Sequence, residues 1–539
     1  MNWLDYLVVI VYSVGFLGLG YFFKENKNAK DYFLGGQDMG WFPLSLSTMA
    51  TQLSAISFIS APAFVGLAQN GGMKWLTFEF AVPLAMIGIM LIIIPPLYRA
   101  NIISIYEFVE RRFSTSTRII LSVVFQISRS LATGVMVYTI AMILQAVLNI
   151  NFHWTILIIS VITLIYSYQG GMKAVVWGDA IQMIILFTGL IICLIYGWNL
   201  LQDNGNFTGF DPQRLNVIEF SNYGFDGGEF GFWPMVLGGL FLYISYYGTD
   251  QTQAQRLMSA KNEGTIKKLL LANGLLRFPI VLVYSLMGLI IGALVLLTPD
   301  FLTEITDMTR LHYPEQFLTN GIKADLMIPV FITKYLPHGL IGILIVGILS
   351  AAMSSLSSTI NSLGAVSIED FFNRGSKKLS EANYMKYSKL SVIFWGIVCI
   401  AAAYLFGGTQ GTVIELINII SSQFYGPILA TFVLAILVKR VNHIGMNVGI
   451  VGGVVINLLI KFNFENIFWI WFNLTGFVIT IVLALLFSEI YKSKTKESFT
   501  INFIIKREDV LSKEVLILLI FFIVILIFSL YLPTILGYI

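Results

Sequence analysis

Long runs of residues with almost no charge recur from one end of this chain to the other, and that recurrence limits its fold more than any other feature. A helix needs about 20 mostly apolar residues to cross the hydrocarbon core of a bilayer. Fourteen runs qualify, near 4–23, 41–69, 72–98, 116–149, 152–170, 172–200, 231–256, 264–297, 338–370, 384–406, 411–438, 445–461, 464–490 and 514–537. Composition agrees. Of 539 residues, 12% are charged and 57% hydrophobic, with mean hydropathy +0.81. A soluble domain would carry about 25% charge. A soluble multi-domain enzyme, a secreted disulfide scaffold and a disordered chain are thereby excluded. The expected class is an all-α polytopic membrane protein with about 14 transmembrane helices. Both cysteines, Cys193 and Cys399, fall inside apolar runs, so no disulfide framework is expected. A net charge of +3 is too small to suggest a nucleic-acid partner. The first run does not read as a cleavable signal peptide, because no basic stretch precedes it and Asp5 does.

The basic residues supply a topology. Of the 33 lysines and arginines, 25 fall in alternate connections, among them Lys24, Lys27, Lys30, Arg111, Arg112, Lys377, Lys378, Lys492, Lys494 and Lys496. Six fall on the opposite face: Lys74, Arg214, Arg310, Lys323, Lys334 and Lys461. Basic residues concentrate on the cytoplasmic side, so both termini are expected outside a cell membrane, with large external loops at 201–230 and 299–337. Ser104–Phe113 (SIYEFVERRF) reads as an amphipathic helix at the cytoplasmic surface. The longest cytoplasmic stretch, about 491–513, has no room for a nucleotide-binding or phosphorylation module, and no P-loop pattern occurs. No nucleophile–base pair or metal-spaced histidine set is found, so an enzyme is not expected.

Ionisable residues at membrane depth are costly and default to functional hypotheses. Four occur: Glu79, Arg129, Asp179 and Arg277. The competing explanation is that they pair with one another and fix helix packing, which suits Arg277 best. Asp250 is expected to cap a helix or to pair with Arg256. The 41–69 run is crowded with Ser45, Ser47, Thr48, Thr51, Gln52, Ser54, Ser57 and Ser60, followed by Pro62 and Gly66. So many backbone-competing side chains predict a locally unwound helix, and broken helices at mid-membrane form binding sites in secondary transporters. In the 338–370 run, Ala351, Ser354, Ser355 and Ser358 share one helix face, with Ser357 beside it. Hydroxyls and a carbonyl are hard neutral ligands suited to Na⁺, and Asp179 would add one negative charge; taken alone, the face is better explained by close packing of small residues. Tyr243, Tyr246 and Tyr247 could wall a cavity or mark an interface.

Several stretches together resemble the sodium/solute symporter family: DYFLGG at Asp31–Gly36, SIYEFVERRF at Ser104–Phe113, GGMKAVVWGDAIQ at Gly170–Gln182, YYGTDQTQAQR at Tyr246–Arg256 and SSLSSTINS at Ser354–Ser362. The resemblance implies the leucine-transporter-like fold, two inverted five-helix repeats. It implies a peripheral helix and loop at 1–40, a first repeat at 41–200, an external loop at 201–230, a second repeat at 231–440 and peripheral helices at 441–539. It implies sodium as the co-transported ion, bound at Ala50, Leu53, Ala351, Ser354 and Ser355. A second sodium site in some members matches Asp179, Ser354, Ser357 and Ser358. Two sodium ions per cycle are therefore expected. Each charge crossing 100 mV contributes about 2.3 kcal/mol, so two supply about three decades of accumulation.

The implied solute positions are mixed. Ser54, Ser57 and Arg129 match members that carry sialic acid, and a guanidinium is the natural partner of a carboxylate. Glu79 matches a hydroxyl-binding glutamate of sugar-carrying members, with Tyr246, Tyr243 and Asn418 at further ligand positions. The alternative for Glu79 and Arg129 is that they face each other across the pocket. The reading favoured here is sodium-coupled uptake of a sugar acid, sialic-acid-like solute or other monocarboxylate by alternating access. A sodium/sugar or polyol symporter is the alternative, and an uncoupled channel or facilitator the competing class. The expected partners are the solute, sodium and the lipid bilayer.

Overall fold

The computed structural model describes residues 2–24, 28–53, 55–148, 150–204, 211–374, 379–405, 413–492 and 507–537. Among them every long element is helical: α1 (Trp3–Phe22), α2 (Trp41–Gln52), α3 (Ala55–Gly66), α4 (Met73–Arg99), α5 (Tyr106–Arg112), α6 (Thr115–Leu148), α7 (Phe152–Asn204), α8 (Phe232–Ile244), α9 (Gln251–Met258), α10 (Glu263–Leu297), α11 (Leu340–Ser367), α12 (Glu381–Leu405), α13 (Val413–Leu437), α14 (His443–Asn463), α15 (Trp471–Ile490) and α16 (Lys513–Gly537). Eleven helices are long and apolar enough to cross a bilayer, or twelve if the bent pair α2–α3 is one span. The fourteen spans expected from sequence differ from this count for two reasons. The 53-residue α7 takes in two of the expected runs, and α8 and α9 are each too short to qualify alone.

Local chemistry accounts for these shapes. Gly171 divides α7, with φ 55° and ψ −146° in an otherwise helical stretch. A side chain there would meet the carbonyl oxygen of Tyr32 at 2.5 Å, so only glycine fits both the backbone and the space. The crowded hydroxyls of 41–69 end α2 at Gln52, and α2 and the following helix lie at 55° to each other. α8 runs into a five-residue π-helical turn, Ser245–Thr249, then breaks at Asp250 (φ −91°, ψ 127°), whose carboxylate caps α9 through Thr252 N at 2.8 Å. The first element of 41–200 and of 231–437 is thus a broken helix in each case.

Close approach of small residues holds the bundle. A Cβ on Gly66 would lie 2.1 Å from the Gly288 carbonyl oxygen, and one on Gly292 2.5 Å from that of Gly66. Without a hydrophobic drive between helices in lipid, such contacts carry the packing of α3 on α10. Elsewhere in the bundle, Asp5 of α1 accepts hydrogen bonds from Gly339 N (2.7 Å) and Gly342 N (2.9 Å), capping the start of α11. Within α5, Tyr106 and Phe108 are fully buried, and Arg112 donates to the carbonyls of Val438, Lys439 and Val441 just past α13. The expected surface helix is therefore docked on protein, its arginine satisfying orphan carbonyls at the end of another helix.

Candidate functional site

Two features meet where the broken helices cross α11. On one side, α2 ends and its last carbonyls lack intrahelical partners. Ser354 Oγ lies 3.3 Å from Ala50 O and 3.1 Å from Ala351 O. Ser355 Oγ lies 3.4 Å from both Thr51 O and Ala351 O. Five neutral oxygens thus converge at a helix C-terminus, the negative end of its dipole, a donor set fitted to a hard monovalent cation. Leu53 is buried at the end of α2. The structure adds Thr51 to the expected set; its Oγ1 also lies 3.2 Å from Ser358 Oγ. A threonine among so many hydroxyls carried no distinguishing sequence signal.

Asp179, expected beside the serine face, is fully buried there. Its Oδ2 accepts from Ser47 (2.6 Å), Arg256 (2.7 Å) and Ser358 (3.3 Å), whereas Oδ1 has no hydrogen-bond partner in the protein. Arg256 also donates to Ser47 Oγ at 2.7 Å and to Ser358 Oγ. Ser357 turns back onto the Ser354 carbonyl at 3.0 Å. Of the two alternatives expected for Asp250, the helix cap is the one formed; Arg256 is fully buried and pairs with Asp179 instead. The break at Asp250 turns α9 into the protein, which carries Arg256 with it.

Next to this oxygen cluster lies a cavity of about 140 Å³. Ser57, Arg129, Tyr243, Tyr246 and Asn418 line it, joined by Thr51, Gln52, Trp75, Phe78, Ser355, Tyr425 and Arg277. Of the expected solute residues, Ser54 lies outside the described residues. Glu79 is fully buried and is not among the lining residues. Its Oε2 accepts from Arg277 Nε (2.9 Å) and Tyr243 Oη (3.2 Å), and its Oε1 from Arg277 Nη2 (3.2 Å). Arg129 donates Nε to Asp250 Oδ2 (2.6 Å) and Nη2 to Tyr425 Oη (2.9 Å), and its guanidinium sits 5.0 Å from the Tyr246 ring centroid. Glu79 and Arg129 therefore do not face each other, because each has a nearer partner of opposite charge. Arg277, expected above all to pair with another buried charge, pairs with Glu79 and also lines the cavity; which acid it meets is visible only once α10 is packed on α4.

The cavity wall is aromatic and cationic. Phe78 stacks on Tyr243 at 4.7 Å, and Tyr246 meets Tyr425 edge-on at 6.1 Å. Two guanidinium groups line the cavity and no carboxylate does, among the described residues. Asp250 and Glu79 hold the arginines from behind, which cancels net charge yet leaves donors toward the interior.

The family model for the Sodium:solute symporter family matches residues 32–453. A cattle protein described as sodium-coupled monocarboxylate transporter 2 is 28% identical over 467 residues, covering 84% of this chain and 71% of that one. The human sodium/iodide cotransporter is 27% identical over 436 residues, covering 80% and 65%. A solved structure of a Na⁺-coupled sialic acid symporter, substrate-bound and outward-open, superposes with a TM-score of 0.81 at 23% identity, covering 92% of this chain and 99% of that one. That likeness carries the fold: the leucine-transporter-like arrangement of two inverted repeats.

Proposed function

The chain belongs to the sodium:solute symporter family, a multi-pass membrane protein that couples solute movement to sodium, and from that premise we propose that its solute is a small monocarboxylate. The observation that carries this reading is the cavity lining itself, two arginines with no carboxylate among the described residues. A carboxylate gains a bidentate ion pair there that a neutral sugar does not. The sugar alternative required Glu79 to accept hydroxyls, and both of its oxygens already accept from Arg277 and Tyr243. The cavity volume is below the roughly 300–1,000 Å³ of ordinary ligand pockets, which favours a short acid over a nine-carbon sugar acid. The monocarboxylate and iodide relatives, both carriers of small anions by name, support the same class.

On this reading Arg129 holds the carboxylate, Ser57, Tyr243, Tyr246 and Asn418 complete the contacts, and the carbonyls of Ala50, Thr51, Leu53 and Ala351 with Ser354 and Ser355 hold one sodium. Asp179, with Ser357 and Ser358, serves a second. Residues 41–200 and 231–440 are the two repeats, and both termini face outward from the cell membrane. Proteoliposomes test this directly. Uptake of a labelled short-chain monocarboxylate is expected to require an inward sodium gradient, with a sodium Hill coefficient near two that falls toward one in Asp179→Ala. Sodium-driven uptake confined to neutral sugars would overturn the solute class, and gradient-independent uptake would overturn the coupling.

A further inference from the structure

Pro427 interrupts α13 two residues past Tyr425, whose phenol accepts from Arg129. A regular helix would close a hydrogen bond from residue 427 to the carbonyl oxygen of Gln423, but proline has no N–H to give. In lipid a freed backbone group must find its partner inside the protein. Here the partner comes from α14. Asn457, fully buried, donates Nδ2 to Gln423 O at 3.4 Å and to Phe472 O at 3.0 Å, while its Oδ1 accepts from Thr475 Oγ1 at 2.8 Å. Two carbonyl acceptors on one side fix which end of the amide is the nitrogen. One side chain thus joins α13, α14 and α15 at the proline. Glycines admit so close a meeting: a Cβ on Gly476 would lie 2.8 Å from Pro427 Cδ and 3.0 Å from Asn457 Nδ2, and one on Gly426 2.4 Å from Asn473 O.

The cavity residues that α13 supplies, Ile417, Asn418, Ser421 and Tyr425, all precede Pro427, and among the described residues α14 and α15 supply none. We propose that Asn457 is a positioning residue for solute binding: it gives the Gln423 carbonyl the hydrogen bond that Pro427 cannot, and so sets where Ser421 and Tyr425 stand against Arg129. The inference rests on the reading of this cavity as the solute site and gives a part in it to two helices that do not reach it. Gln423 lies midway between Ser421 and Tyr425 in the chain, so a shift of its carbonyl moves both. Tyr425 passes the shift on. Its own carbonyl oxygen accepts from Ser245 Oγ at 2.8 Å, at the π-helical turn that leads to the break at Asp250. Both partners of Arg129, Tyr425 and Asp250, are therefore tied to the turn that Asn457 holds. Without the amide, two buried carbonyls lose a donor, a loss the interrupted helix can meet only by moving.

The test uses reconstituted full-length protein and sodium-driven uptake of labelled pentanoate. Asn457→Leu, close in size but without the amide, is expected to raise the apparent KM about ten-fold while the maximal rate stays within about two-fold of the parent's. A merely structural staple would lower the yield of folded protein or the maximal rate without moving KM. In a Pro427→Ala background residue 427 regains its N–H, so the same Asn457→Leu change is expected to raise KM by less than about two-fold over that background. Should Asn457→Leu not fold, Thr475→Val, which keeps the amide and removes the hydroxyl bonded to its oxygen, is expected to raise KM about three-fold in the proline chain and not in the alanine one. A KM that does not move, or that rises equally in both backgrounds, would overturn the inference. If the unaltered protein carries no pentanoate, the monocarboxylate reading falls instead. The inference is then read from the rate at which N-ethylmaleimide modifies Ser421→Cys, in a chain whose own two cysteines are buried. Asn457→Leu should change that rate about three-fold or more with Pro427 present and less than about two-fold with alanine there. Equal rates would overturn it.

Discussion

Arg129 and Arg277 enter one cavity from different helices, α6 and α10, and each has a buried carboxylate behind it. Their settings differ. The partner of Arg129 is Asp250, at the break between α8 and α9, and its guanidinium also bonds Tyr425 and lies near two tyrosine rings. Arg277 pairs with Glu79, which lies in the 3₁₀ segment Met73–Phe80 at the start of α4, and Arg277 itself lies two residues before Pro279 in α10. A pair that crosses a break changes geometry when the two halves of the helix move against each other. The Arg129–Asp250 pair sits at the break between α8 and α9, whereas the Arg277–Glu79 pair joins α10 to the start of α4.

That contrast can be broken most severely at Glu79. Glu79→Ala strands Arg277 in a fully buried site, and removing one member of a buried pair typically costs about 3–5 kcal/mol. We predict a large fall in the melting temperature of the detergent-solubilised protein; an unchanged melting temperature would show that the wall pair is not structural. Arg129→Lys comes next. It keeps the charge but loses the planar fork and the stacking on tyrosine, so the apparent KM for a monocarboxylate should rise about ten-fold or more while the protein still folds. The exchange Arg129→Asp/Asp250→Arg sharpens the comparison. It should recover most of the stability lost in either single variant and none of the uptake, since the guanidinium would then sit on the wrong helix. Uptake restored by the exchange would show that only the pairing matters. Tyr425→Phe removes one neutral partner of Arg129, about 1 kcal/mol, and should raise KM by no more than several-fold.

A pair outside the bilayer calibrates the other two and carries the smallest effect. Burial pushes the Glu110 carboxyl up, but hydrogen bonds from Thr115 and Arg118 outweigh it and hold the group below its ordinary value of 4.5. A carboxylate depressed in the folded state adds stability above its unfolded value, and that stability is lost as pH falls through the folded one. The stability gap between the parent protein and Glu110→Gln should therefore be present at pH 7 and close as the pH drops below about 4. A gap that persists at low pH would mean that the glutamate acts through packing alone.

Much of the molecule is legible in the order of its residues. The apolar runs locate most helices because crossing length and hydropathy are properties of a segment by itself. The hydroxyl-rich stretch ending at Gln52 announces a break, and Ala351, Ser354 and Ser355 fall on one face by helical spacing alone. Glu79, Arg129, Asp179 and Arg277 stand out because a charge in an apolar run needs a reason. Their partners do not stand out. Asp250 and Arg256 lie six residues apart and invite pairing, yet they go to Arg129 and Asp179 on other helices. Thr51 is one hydroxyl among seven in its run, and only the end of α2 beneath Ser355 distinguishes it.

By itself, the sequence determined that this protein lives in a membrane, that it is helical, that one helix carries a face of hydroxyls, and that four charges lie within apolar runs. All of these follow from periodicity and composition within single segments. The tertiary structure alone decided which acid neutralises which arginine, and hence that Glu79 is held behind the cavity while Arg277 lines it with one nitrogen unpaired. The physical reason is that helices in lipid are chosen as partners by side-chain fit and charge across the interface. That choice depends on the packing of residues some 200 positions apart, Glu79 on α4 against Arg277 on α10, which no local pattern records.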